Sequence, residues 1–317
     1  METDRYRGES ARGRWGLLGA IALLVLLPAC SLESLAVDSM ASALAGAGGV
    51  YASDEDPELV RDALPFALKT YETLLVEAPE NVDLLTAACR GFTQYAAGYV
   101  EPDAERAEVE DWEQAEALRA RALKLYLRAR DYCLRGLEVD VAGISERLAL
   151  APREAAAGLR PAQIERVYWT GAAWGAAISI GLDRPELVVD LPAVEALMER
   201  ALELEPAWDD GSIHEAMIRL EALPEAMGGS PERARYHFER AVELSSGERA
   251  SPYVAYATTV SVGAGRRQEF VELLRTALAI DPDVRPESRL ANLLAQRQAR
   301  FLLEHVDDYF LPDEGSP

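Results

Sequence analysis

The chain has little of what chemistry usually needs. Three histidines and three cysteines occur in 317 residues. No Cys-x-x-Cys or Cys/His spacing indicates zinc. His214-Glu215 begins like a metalloprotease helix, but Ile218 stands where the second histidine belongs. GxSxG and P-loop patterns are missing, and among 54 acidic residues close carboxylate pairs arise by chance. The chain does not read as an enzyme, and it implies neither cofactor nor metal. His214 is kept as a polar candidate for the wall of a groove, with a satisfied helix histidine as the plain alternative.

Basic residues are also short, at 32 Lys and Arg against 54 Asp and Glu, a net charge of −22. An acidic excess of that size repels phosphate backbones and anionic headgroups, which excludes nucleic acid as a partner. No run alternates in the manner of a strand. Apolar residues instead recur at three and four, as in Leu118, Ala122, Leu125 and Tyr126, so the chain reads as all-α.

The apolar run Gly16–Leu27 has 12 residues, short of the about 20 a spanning helix needs. It follows Arg5, Arg7, Arg12 and Arg14 and precedes LPAC, residues 27–30, which gives it the dimensions of a signal-peptide core. Leu27, Ala29 and Cys30 resemble the lipobox of bacterial lipoproteins. That implies removal of residues 1–29 and lipidation of Cys30, whose acyl chains would hold the protein on a membrane. Ser31 after Cys30, where Asp would retain an inner-membrane lipoprotein in some bacteria, leans towards the outer membrane. After Cys30 only Cys89 and Cys133 remain. An oxidising compartment permits a bridge between them. Both lie in apolar helical patterns, however, and free Cys is among the most buried residue types, so two buried thiols are the favoured expectation.

Residues 30–53 are small and weakly amphipathic, a tether or a short first helix. Residues 54–310 form the helical domain and 311–317 a tail. Asp56-Pro57, Ser230-Pro231 and Ser251-Pro252 each place an N-cap residue before a proline at the first helical position. Pro79, Pro206, Gly247 and Pro282 mark stops, and Asn81 reads as an N-cap. Three stops share a phrase: MERALELEP (198–206), FERAVELSS (238–246) and LRTALAIDP (274–282). Their alanines, Ala201, Ala241 and Ala277, are 40 and 36 residues apart. This resembles the second helix of a tetratricopeptide (TPR) repeat, whose period is about 34, and predicts a TPR-like solenoid of degenerate repeats. Such stacks make surfaces or cavities that bind.

In YWTGAAWGAAIS, residues 168–179, Gly171 and Gly175 share a helical face with Tyr168 and Ile178. Two mid-helix glycines make sense where another backbone comes close. Trp169 and Trp174 point about 140° apart on a helix. Either both indoles are core, or one turns into an interior hollow. Tyr95 and Tyr99 form a second aromatic pair in small surroundings, and these two helices are the place to look for a hydrophobic cavity. Asn292 and Gln296, one turn apart in an apolar helix, either face that cavity or satisfy backbone groups of the last repeat, the second being preferred.

With the lipobox, the segments PENVDLLTAACRGFTQYAAGYVE (79–101), LYLRARDYCLRGLE (125–138), VYWTGAAWGAAIS (167–179), MERALELEPAWDDGSIHE (198–215), GGSPERARYHFERAVELSSGERASPYVAYA (228–257), EFVELLRTALAIDP (269–282) and RLANLLAQRQARFLL (289–303) resemble the TatT family. These are the T-component lipoproteins associated with TRAP transporters. The resemblance implies an all-helical periplasmic lipoprotein with cryptic TPR-like repeats, a pore or cavity in each protomer, and a trimer. It also implies association with the solute-binding P-component and help in delivering an organic, hydrophobic ligand. A TPR-type envelope scaffold with no small-molecule role is the competing expectation.

Overall fold

The computed structural model describes residue 46 and residues 48–310; the signal segment, Cys30 and the tail 311–317 lie outside the described residues. Among the described residues every regular element is helical. The helices are α1 (Gly48–Ala52), α2 (Pro57–Glu77), α3 (Val82–Tyr95), α4 (Glu101–Glu108), α5 (Trp112–Asp140), α6 (Ile144–Leu150), α7 (Pro152–Ala157) and α8 (Ile164–Ile180). They continue as α9 (Pro185–Val188), α10 (Leu191–Leu204), α11 (Ser212–Glu221), α12 (Pro231–Leu244), α13 (Ser251–Tyr256), α14 (Arg267–Ala279), α15 (Arg289–Glu304) and α16 (Val306–Tyr309).

Local chemistry sets most helix starts. The Asp56 side chain accepts from the N–H groups of Glu58 and Leu59, Asn81 from Leu84, and Ser230 from Arg233. Ser251 departs from the expectation. Its hydroxyl donates to Glu215 Oε2 at 2.8 Å, and the N-cap position falls on Ala250. No side chain caps this helix start; the N–H of Ala250 itself is taken by Asn292 Oδ1, 2.9 Å away on α15.

The helices pack in sequence: α2 on α3, α3 and α4 on α5, α5 on α8, α8 on α10, and α10 on α11. From there α11 packs on α12 and α13, α13 on α14, and α14 on α15. Finally α15 returns to α1 and α2, so the last long helix closes on the first. The closure has polar links: Arg289 Nη1 donates to the Ser53 carbonyl at 3.0 Å, Arg297 pairs with Glu58, and Gln298 donates to Glu105. Ala201, Ala241 and Ala277 of the recurring phrase are each at most 1 % exposed, where small size admits the neighbouring helix.

Two π turns, Ala96–Val100 and Ala257–Ser261, directly follow α3 and α13. Cys89 and Cys133 form a disulfide, with Cα atoms 5.4 Å apart. This corrects the expectation of two free thiols: the apolar pattern showed that both residues are buried but not that α3 and α5 bring them together.

Candidate functional site

The helix α8 organises the site. A Cβ built on Gly171 would lie 3.0 Å from Met198 Cε, and one on Gly175 would lie 3.3 Å from Val194 Cγ1. Both glycines therefore admit α10 at close range. The two indoles enter different apolar clusters. Trp174, 5 % exposed, joins Leu197, Ile178 and Ile213, with the Arg130 guanidinium 5.3 Å from its ring centre. Trp169 is half-buried and, like Leu187, Leu290 and Leu294, packs at the edge of the cluster that α2, α3 and α5 build with part of α8.

Tyr168 and Trp169 meet edge to face at 4.9 Å, and Tyr168 also meets Trp208 at 4.6 Å. A polar group adjoins these rings. Arg249 Nη1 donates to the Asp209 carbonyl at 2.7 Å and to Ser212 Oγ at 2.8 Å, and Nη2 lies 3.8 Å from Glu215 Oε2. Burial, and then the Glu215 carboxylate, push the Tyr168 hydroxyl well above its ordinary value, so it remains a neutral phenol. The turn entering α11 is left-handed at three successive residues: Asp209 (φ 46°), Asp210 (φ 52°) and Gly211 (φ 96°). Only Gly211 adopts that conformation without steric cost, and a Cβ there would also stand 3.1 Å from Ala241 Cα. The two aspartates are held by Arg249 and by Arg285, whose Nη1 lies 2.6 Å from Asp210 Oδ2. The result is an aromatic wall, Tyr168, Trp169 and Trp208, beside a fixed set of hydrogen-bonding groups.

His214 is 4 % exposed and points away from this wall, into α12. Its Nδ1 lies 2.8 Å from Nδ1 of His237. One ring donates and the other accepts, and burial first of all pushes both rings down to about 4, so both are neutral at neutral pH. Among the described residues no group of three or more His, Cys, Asp or Glu side chains is placed to hold a metal ion.

The other candidates lie elsewhere. Tyr95 and Tyr99 meet at 5.8 Å with their rings tilted by 41° at the first π turn; Tyr99 donates to the Pro57 carbonyl at 2.9 Å, and Tyr95 lies under Arg121. Asn292 donates to the Glu248 carbonyl at 2.9 Å besides accepting from Ala250, and Gln296 Nε2 donates to the carbonyls of Ala277 and Ile280. Both amides thus serve the backbone of the neighbouring helices. Sequence reasoning passed over Trp208, Arg249 and the Asp209–Gly211 turn. The phrase WDDGS, two acids and a glycine after a tryptophan, was the available signal.

The described residues thus form an all-helical chain whose last long helix meets its first, with an aromatic face on α8. The family model of the TRAP transporter T-component matches residues 53–310, and the chain belongs to that family of transporter accessory components. It is also 29 % identical over 311 residues to an uncharacterized protein of Treponema pallidum (strain Nichols), covering 92 % of this chain and 96 % of the relative.

Proposed function

We propose that the protein is a lipid-anchored periplasmic accessory subunit of a TRAP transporter, tethered through Cys30. It oligomerises, as a trimer on the family pattern, docks the solute-binding P-component and helps to bind or deliver an organic, hydrophobic ligand. Family membership over residues 53–310 carries this reading. The Cys89–Cys133 disulfide supports an oxidising compartment, as the periplasm is. The half-buried rings of Tyr168, Trp169 and Trp208 supply the apolar contact such a ligand needs. Succession of helix on helix supports the TPR-like description, and the return of α15 to α1 and α2 supports an interior enclosed by the chain.

The test is affinity purification of the detergent-solubilised lipidated protein from its own membranes, with mass spectrometry of its companions. A TRAP solute-binding protein is the expected companion. Envelope-assembly proteins without one would replace this reading by that of a peptide-binding scaffold.

A further inference from the structure

The outward face of α5 is cationic in a chain whose net charge is −22. Between positions 121 and 135 stand Arg121, Lys124, Arg128, Arg130 and Arg135 against the single Asp131. Lys124, Leu127, Arg128, Asp131, Tyr132 and Arg135, spaced by three and four, line an open groove of about 370 Å³. The Tyr132 ring stacks on Phe92 at 5.9 Å, and its hydroxyl donates to Glu72 at 2.9 Å, so the aromatic part of the groove is fixed. Its cations are only partly matched. Asp131 is taken by Arg130, which lies over Trp174 and does not line the groove. Arg128 lies 3.5 Å from Glu72, a carboxylate it shares with Lys69. Arg135 donates to the Pro79 carbonyl at 2.9 Å. Among the described residues Arg135 meets no carboxylate, and Lys124 has neither an ion-pair nor a hydrogen-bond partner.

The turn that opens α5 has the opposite chemistry. Residues 108–113 read EVEDWE, with Trp112 61 % exposed and Val109 54 % exposed. The indole is held in place: the Arg119 guanidinium lies 5.3 Å from its ring centre and is itself fixed by Glu108 and Glu116. Asp111 caps the helix by accepting from the Gln114 N–H at 3.0 Å. Glu110 and Glu113 are exposed, and their side chains have no partner among the described residues. An indole flanked by carboxylates complements a groove of phenol, leucine and three cations, and Trp, Tyr and Arg dominate interface energies. The two surfaces cannot meet within one chain. Lys124 to Arg135 lie about 18–35 Å further along the same helix, and at about 100° per residue Trp112 points about 120–160° away from Lys124, Arg128 and Arg135. A contact between them therefore joins two copies. Because its two surfaces differ and face different ways, it is head-to-tail, the kind that closes into a ring.

We propose that the groove on α5 is an interface between copies of this chain, receiving the turn 109–113 of a second copy, with Trp112 on Leu127 and Tyr132 and with Glu110 and Glu113 against Lys124, Arg128 and Arg135. The inference rests on the reading that the protein oligomerises, and it names the surfaces that meet.

The test is zero-length carbodiimide cross-linking of the full-length lipidated protein in its own membranes, with mass spectrometry of the joined peptides. Lys69 and Lys124 are the chain's only lysines, so few products can form. The expected product joins Lys124 to Glu110 or Glu113. Within one chain about 16 Å or more of helix separates these residues, so the product is intermolecular. In sedimentation of the detergent-solubilised protein, Trp112→Ala and Lys124→Glu/Arg128→Glu should each weaken self-association about tenfold or more. Adding Glu110→Lys/Glu113→Lys to Lys124→Glu/Arg128→Glu should restore it, which a loss of fold would not allow. Lys124 joined only to another protein or to nothing, self-association indifferent to both sets of substitutions, or a charge exchange that restores nothing overturns the interface. The copurification experiment separates this from the transporter reading. A solute-binding protein recovered while these substitutions leave self-association unchanged sinks the interface alone. Self-association that depends on them, without that companion, sinks the transporter reading and leaves the interface standing.

Discussion

Cys89 on α3 and Cys133 on α5 are joined by a disulfide within the cluster formed by Leu68, Leu85, Phe92 and Ala129, where neither side chain meets solvent. The bridge spans 44 positions and encloses the first π turn and α4. It therefore ties together the two helices, α3 and α5, between which α4 lies in the chain.

Closing a loop of that length restricts the unfolded chain, a stabilisation of about 4 kcal/mol in the chain-entropy account. Cys89→Ala/Cys133→Ala is expected to lower the urea unfolding free energy by about 2–4 kcal/mol. Thiol labelling under non-reducing denaturing conditions should find neither Cys89 nor Cys133. Labelling of both in protein taken from its own membranes would contradict the bridge.

Trp169 and Trp174 differ in what they cost to remove. Trp174 is core, so Trp174→Ala should destabilise by about 3–5 kcal/mol. Trp169 is half-buried at a cluster edge, so Trp169→Ala should cost about half as much while reducing quenching of the protein's fluorescence by an apolar ligand. Equal losses of stability in the two variants would place both indoles in the core and remove Trp169 from the aromatic wall.

Asn292 links α15 to the start of α13 through both halves of its amide. Asn292→Ala strips the partners from the Ala250 N–H and the Glu248 carbonyl and should cost about 1–3 kcal/mol. Asn292→Asp keeps the acceptor and loses the donor, so it should fall between wild type and alanine at neutral pH. Ser251→Ala, which removes a contact with Glu215 rather than a cap, should cost less than Asn292→Ala. A reversed order in urea titrations would show that the Ser251–Glu215 contact outweighs the two Asn292 bonds.

What the sequence made legible was short in range. Asp56, Asn81 and Ser230 cap helices through bonds to residues two or three positions on, and Ala201, Ala241 and Ala277 are buried as their spacing within amphipathic helices required. The glycine face of α8 was also readable, because small side chains have few other uses in mid-helix. What escaped depends on pairings across the fold. Periodicity buries Cys89 and Cys133 without joining them, and a Ser-Pro signature cannot show that the Ser251 hydroxyl is given to Glu215. The left-handed turn at Asp209 and Asp210 is stabilised by arginines 40 and 75 positions away.

The His214–His237 pair gives the sharpest pH signature. Both rings are held down to about 4 in the fold, whereas an unfolded histidine titrates near about 6.5. Between those values the unfolded chain binds more protons than the folded one, so this contribution to stability falls as pH falls from about 6.5 to 4 and levels off below. Glu105 runs the opposite way. Its folded value is raised to about 7, so the stability it adds is complete below the unfolded carboxylate range and is lost as pH rises towards 7. Urea unfolding of wild type and His214→Leu/His237→Leu from pH 7 to 4 separates them. The wild type's advantage should shrink on acidification by about 2–4 kcal/mol. The advantage of wild type over Glu105→Gln should grow over the same range. A histidine difference independent of pH would mean that the rings take up protons as easily in the fold as in water, and the 2.8 Å Nδ1–Nδ1 contact would then not be a bond between neutral rings.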